Sequence, residues 1–120
     1  MNICKQLALG GALALFAPFA MSADVVGEWS NEPDNCDDMR VVYAEDGHNP
    51  TLVNADGDWV EVSESSWERD DNLLYVQTGA RQDVWDIERL DDEELHLVNQ
   101  DPEAADHGAG EARFYRCDPR

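Results

Sequence analysis

Residues able to do chemistry are plentiful in this chain, but few are spaced for it. Acidic residues number 27 against eight basic ones, so carboxylate pairs are inevitable and single out no site. A glycosidase-type dyad needs one acid raised by an apolar cleft, and no stretch marks such a pair. Asn54, Asp56 and Asp58 alternate around Gly57 as a short echo of a calcium loop. A calcium-binding loop, however, places its glycine after the third ligand and closes with a glutamate at position twelve. Gly57 comes too early, and a hairpin turn is the better reading. Asp106-His107 could ligate a metal, but no second histidine is near it in sequence, while His48 and His96 stand singly. Solvated histidine is the expectation for all three.

Nucleophile patterns are also missing. Beyond the N-terminal segment the serines are Ser30, Ser63, Ser65 and Ser66, none in a G-x-S-x-G elbow. Phosphate-loop and dinucleotide glycine patterns are absent. The expectation is a non-enzymatic protein with no cofactor and no metal.

Two cysteines, Cys36 and Cys117, lie 81 positions apart. In an exported chain they are expected to form a disulfide. Chain entropy puts the stabilisation from closing such a loop at about 4 kcal/mol. Metal binding by two cysteines, without a C-x-x-C or clustered histidines, is the weaker alternative.

Export is read from the N-terminus. Lys5 precedes an almost wholly apolar run, Leu7 to Phe19, and small residues follow at Ala20, Ser22 and Ala23. This is the form of a secretory signal peptide over residues 1–23, cleaved after Ser22 or Ala23. The run is too short for a comfortable membrane span, so no membrane insertion is expected after cleavage. Cys4 precedes the apolar run and cannot be a lipoprotein acceptor. A periplasmic or secreted chain spanning 24–120 is expected, long enough for one domain with a modest core.

The net charge is −19, one unit more negative once Lys5 leaves. Every remaining basic residue is arginine. Nucleic acid and anionic membrane surfaces are poor partners for such a surface. Either the acidity is a solvation adaptation to salt, or it draws a basic partner protein.

The elements that would position any site read as strands. In Arg81 to Val98, Trp85 and Ile87 alternate with Asp86 and Glu88, and Leu95 and Leu97 flank His96, the period of a half-buried strand pair. Leu90-Asp91-Asp92-Glu93 between them is turn chemistry. Val25–Trp29, Met39–Ala44, Thr51–Val53, Asp58–Ser63, Leu73–Thr78 and Glu111–Cys117 read as further strands, with Ser65–Arg69 a continuation or bulge. Asp101–Gly110 reads as the longest loop. Seven or eight short strands with no amphipathic helix predict an all-β meander, closed as an up-and-down barrel of about eight strands. Trp29, Tyr43, Trp85, Leu95, Leu97 and Phe114 or Tyr115 would fill its interior. Trp59 and Trp67 pose a question of facing. Turned outward they are candidate interface anchors; turned inward they leave the valines of the strand in solvent.

Gly27-Glu28-Trp29 on the first strand resembles the G-x-W signature of the lipocalin and wider calycin families. The run WDIERLDDEELHLV followed by FYRC is similar to short bacterial lipocalin-like domains. The resemblance implies a small β-barrel in which Trp29, with Gly27 beside it, closes one end. An arginine from the last strand packs over the tryptophan: Arg116 is the matching residue, and Arg113 the second candidate. A guanidinium on an indole face gains cation–π attraction.

The function expected from these readings is an exported binding protein, inhibitor-like or immunity-like, recognising a basic partner protein through its acidic surface. The alternative is a lipocalin-like carrier of a small apolar ligand.

Overall fold

The computed structural model describes residues 24–120, and the signal peptide read over residues 1–23 lies outside the described residues. The described chain forms nine antiparallel strands: β1 (Gly27–Ser30), β2 (Met39–Tyr43), β3 (Thr51–Ala55), β4 (Asp58–Ser63), β5 (Ser66–Asp70), β6 (Leu73–Thr78), β7 (Arg81–Leu90), β8 (Glu94–Asn99) and β9 (Glu111–Cys117). They make one sheet in the order β4-β3-β2-β1-β9-β8-β7-β6-β5. Every neighbouring pair except β1 and β9 is consecutive in the chain, so the sheet is a meander whose first and last strands meet at its centre.

Turn chemistry sets the register. Between β3 and β4 the two-residue turn Asp56-Gly57 has φ of 55° and 95°, the positive angles that a tight hairpin of this twist requires. The acidic turn between β7 and β8 is held by Asp91, whose Oδ1 accepts the N–H groups of Glu93 and Glu94 at 2.8 Å.

The sheet does not close into a barrel, which corrects the closed barrel of about eight strands expected from the sequence. The expected continuation after β4 is a separate strand, β5, at the opposite edge of the sheet. Only the link Glu64-Ser65 separates the two edges in sequence. Beside this link the loop between β2 and β3 reaches β5 through one isolated bridge among the described residues, His48 to Ser66. The bridge is flanked by Asn49 N–H donating to Ser65 O and Trp67 N–H donating to Gly47 O. The β4–β5 run thus changes partners, from β3 to β6, before a continuous ladder can form.

The core lies on the concave face. Val25, Trp29, Tyr43, Leu74, Leu95 and Leu97 are buried together, with Val41, Trp67, Val76, Trp85, Ile87 and Phe114 packed against them. Alternation explains the selection: Leu95 and Leu97 point in while His96 points out. Phe114 is the inward member of the Phe114/Tyr115 pair, being paired with Leu95. The long loop contains a short 3-10 helix, Pro102–His107. Asp101 caps its start by accepting from Glu103 N–H, and Gly108 ends it in the left-handed region.

Candidate functional site

Three groupings of side chains stand out in the fold. The first is at the centre of the sheet, where β1 pairs with β9. Trp29 on β1 is paired in register with Arg116 on β9, and the Arg116 guanidinium lies 4.1 Å from the centre of the Trp29 rings. Arg116 Nη1 donates to Val26 O at 3.2 Å, and Nη2 donates to Asp24 O at 2.7 Å. The indole Nε1 donates to Val25 O at 2.9 Å. Gly27 has φ of 149°, and a Cβ there would come within 2.7 Å of Arg116 Nη1. The three residues form one lock joining the first strand to the last. Arg113 is not part of it; its side chain reaches Glu94 at 3.2 Å.

The second grouping is on the convex face. Cys36 and Cys117 form a disulfide, which ties the loop before β2 to the end of β9. Beneath that loop Arg40 is buried. It donates to Cys36 O at 2.7 Å and to Glu28 Oε1 at 2.9 Å. Glu28 also receives Arg120 Nε at 2.8 Å. Burial pulls the Glu28 pKa upward, but the hydrogen bonds from Arg120 and Arg40 outweigh it and leave the carboxyl below its ordinary value. Trp59 lies beside this cluster, with the Arg40 and Arg120 guanidiniums 5.4 and 5.8 Å from its ring centre. Sequence reasoning missed Arg40; its place between Met39 and Val41 in an apolar strand was the available signal.

Trp67 turns the other way. It packs against the core, stands edge-on to Tyr43 at 5.6 Å, and donates its indole N–H to Ala44 O at 2.8 Å. Both tryptophans are half-buried. The large apolar side chains left in solvent are Val53, Val60 and Val62, the last two 45% and 59% exposed.

The third grouping was not visible in the sequence. An open groove of about 660 Å³ runs over β5, β6 and β7 and against the turn after β2. Its lining includes Glu45, Asp46, Glu68, Tyr75, Gln77 and Gln82. The ladder sets these side chains in rows: Ser66, Gln77 and Gln82 are successive partners across three strands, and Glu68 lies opposite Tyr75. At the groove's border His48 Nδ1 pairs with Asp46 at 2.9 Å. The hydrogen bond that the His48 ring donates to Asp46, and the charge of Asp46, raise the His48 pKa, with smaller contributions from Glu64 and Glu61. An aromatic ring flanked by carboxylates and planar amides can hold a cationic side chain by cation–π contact and charge-assisted hydrogen bonds.

The arginines are occupied within the fold. Arg81 pairs with Asp83, Arg89 with Asp91, Arg113 with Glu94, and Arg40 and Arg120 with Glu28. Arg69 donates to Asp71 O, and Arg116 to the backbone carbonyls near Trp29. Most carboxylates are left facing solvent. Among the described residues no group of His, Cys, Asp and Glu is arranged to hold a metal ion, and no helix is long and apolar enough to cross a membrane. No family model, curated protein or solved structure matches the chain.

Proposed function

We propose that this is an exported, non-enzymatic binding protein that recognises a basic partner protein through its acidic surface, in an inhibitor-like or immunity-like manner. One observation carries the reading. Each arginine has a partner within the chain, several of them at the surface, the acidic residues far outnumber the arginines, and several carboxylates rim an open groove with Tyr75 in its wall. An acidic field of this kind speeds encounter with a cationic surface, and an aromatic in a groove slows release. Export is supported by the leader-like N-terminus and by the disulfide between Cys36 and Cys117. The lipocalin-like lock of Gly27, Trp29 and Arg116 serves in this reading as a structural element. The carrier alternative has less support, because bulky side chains fill the concave face.

The concrete partner class is a basic cell-wall hydrolase or toxin whose cleft the acidic face covers. The test is titration of the oxidised chain against a basic muramidase, following both binding and enzyme activity over a series of salt concentrations. Binding that weakens steadily with salt, and that an acidic hydrolase of the same class does not show, is the expected result. Absent or salt-independent binding overturns the reading.

A further inference from the structure

The sheet ends in an unusual edge. β4 pairs with β3 on one side and is the terminal strand of the sheet on the other. The hairpin closes at Ala55 and Asp58, and the next pair is Asn54 with Trp59. Asn54 N–H bonds Asp38 O, away from β4. At that pair the backbone groups of the two strands therefore point apart. By the alternation of an antiparallel ladder, Trp59 and Glu61 turn their N–H and C=O groups to the open edge.

Proteins commonly protect such edges with lysine, proline or a covering loop. β4 (DWVEVS) has no lysine or proline; its register with β3 shifts after Glu61, which leaves a regular outer edge over Trp59–Glu61, and among the described residues no strand lies against that edge. Its side chains sort into two faces. Register places Val53 and Val60 on the face of Val41 and Trp29, the concave face, where they stand exposed. The opposite face presents Trp59 and Glu61, while Asp58 shares the face of Val60 at the start of the strand and Glu64 follows its end.

We infer that the outer edge of β4 receives an extended, basic segment of the partner protein, which adds a strand to the sheet. This rests on the reading of a basic partner and names how part of it is held. Backbone bonds come from Trp59 and Glu61. Apolar side chains of the incoming strand cover the concave-face valines, and alternate lysine or arginine side chains meet Glu61 and the face of Trp59 beside it. A second copy of this chain is a poor occupant, since an antiparallel β4–β4 pair brings like charges together on one short ladder.

The probe is an eight-residue peptide alternating valine and arginine, titrated into the oxidised, isotope-labelled chain at low salt. Its control is the same peptide N-methylated on the residues whose N–H groups face β4. The expected result is protection from hydrogen exchange at the Trp59 and Glu61 amides. Binding of the methylated peptide should be about tenfold weaker, the loss for two backbone hydrogen bonds of ordinary net strength. Glu61→Pro, which removes one edge donor, should weaken the unmethylated peptide more than Glu61→Gln does. Equal binding of both peptides overturns strand addition while leaving the acidic-surface reading intact. Protection of the same amides that rises with protein concentration and needs no peptide overturns it in favour of self-pairing. No binding of either peptide also overturns it, and the muramidase titration then decides the broader reading separately.

Discussion

Arg116 lies flat over Trp29, 4.1 Å from its ring centre, and joins the last strand to the first. Its Nη groups bind the backbone carbonyls of Val26 and Asp24, while its Nε is buried without a partner among the described residues. The guanidinium thus does two tasks: it covers the indole and satisfies the carbonyls of the chain entering β1. Replacing it with Met keeps much of the apolar stem but loses both the cation–π contact and the charged hydrogen bonds. We expect Arg116→Met to destabilise the fold by about 2–3 kcal/mol in urea unfolding. Arg116→Lys should recover less than half of that, because an ammonium cannot stack flat and bond two carbonyls together.

Gly27 is tied to the same lock. Its positive φ and the 2.7 Å approach of Arg116 Nη1 to a Cβ position leave little room for a side chain. Gly27→Ala should therefore destabilise by about 1–3 kcal/mol. Combined with Arg116→Met its cost should shrink, since the clashing group is gone. Strict additivity in the double mutant would show that backbone strain alone is responsible.

Glu28 compensates the buried Arg40 on the convex face. Glu28→Gln removes the charge that both Arg40 and Arg120 use. A buried cation left without its partner typically costs about 3 kcal/mol or more. The expected outcome is a loss of that order in the unfolding free energy, partly restored in Glu28→Gln with Arg40→Met. A surface-like loss below about 1 kcal/mol would show that the carbonyls of Cys36 and Asp118 hold Arg40 without help.

How much of this was legible beforehand depended on whether the signal was local. The bounds of β4, β6 and β9 follow from alternation and flanking turn residues, and the Asp91 turn from its acidic run. The pairing of Trp29 with Arg116 was accessible through the G-x-W resemblance. Closure was not, because it depends on whether a ladder continues past Glu64-Ser65, and Ser65–Arg69 alternates equally well as an extension of β4 or as a new strand. The 3-10 helix was hidden inside a loop, although Asp101-Pro102-Glu103 carries a cap and an N-terminal proline. The groove is assembled from β5, β6, β7 and the turn after β2. No window of sequence contains it.

The turn between β7 and β8 gives a pH prediction. The backbone N–H of Glu93, the Arg89 guanidinium and the backbone N–H of Glu94 hold the Asp91 carboxyl down to about 2. An acid whose pKa is lower folded than unfolded stabilises the fold above its unfolded value of about 3.8. That stabilisation is lost as pH falls through the folded value. The stability difference between the parent chain and Asp91→Asn should therefore be level from about pH 7 to pH 5 and close progressively toward pH 2. A difference that stays constant to pH 2 would mean that the Asp91 carboxyl titrates alike in the folded and unfolded chain and that its charge adds nothing to the turn.

The groove supplies the sharpest check on function. Tyr75 and Glu68 face each other across the β5–β6 ladder and line the open groove, and no side-chain hydrogen bond of either carries the fold among the described residues. Their replacement should leave the unfolding midpoint nearly unchanged. If the groove holds a cationic side chain of the partner, Tyr75→Ala should weaken muramidase binding by about tenfold, chiefly through faster dissociation. Glu68→Gln should instead slow association and flatten the salt dependence, as loss of a peripheral charge does. Losses confined to the association rate in both variants would make the groove part of the acidic field but not an anchoring site. Contact would then be sought along β4.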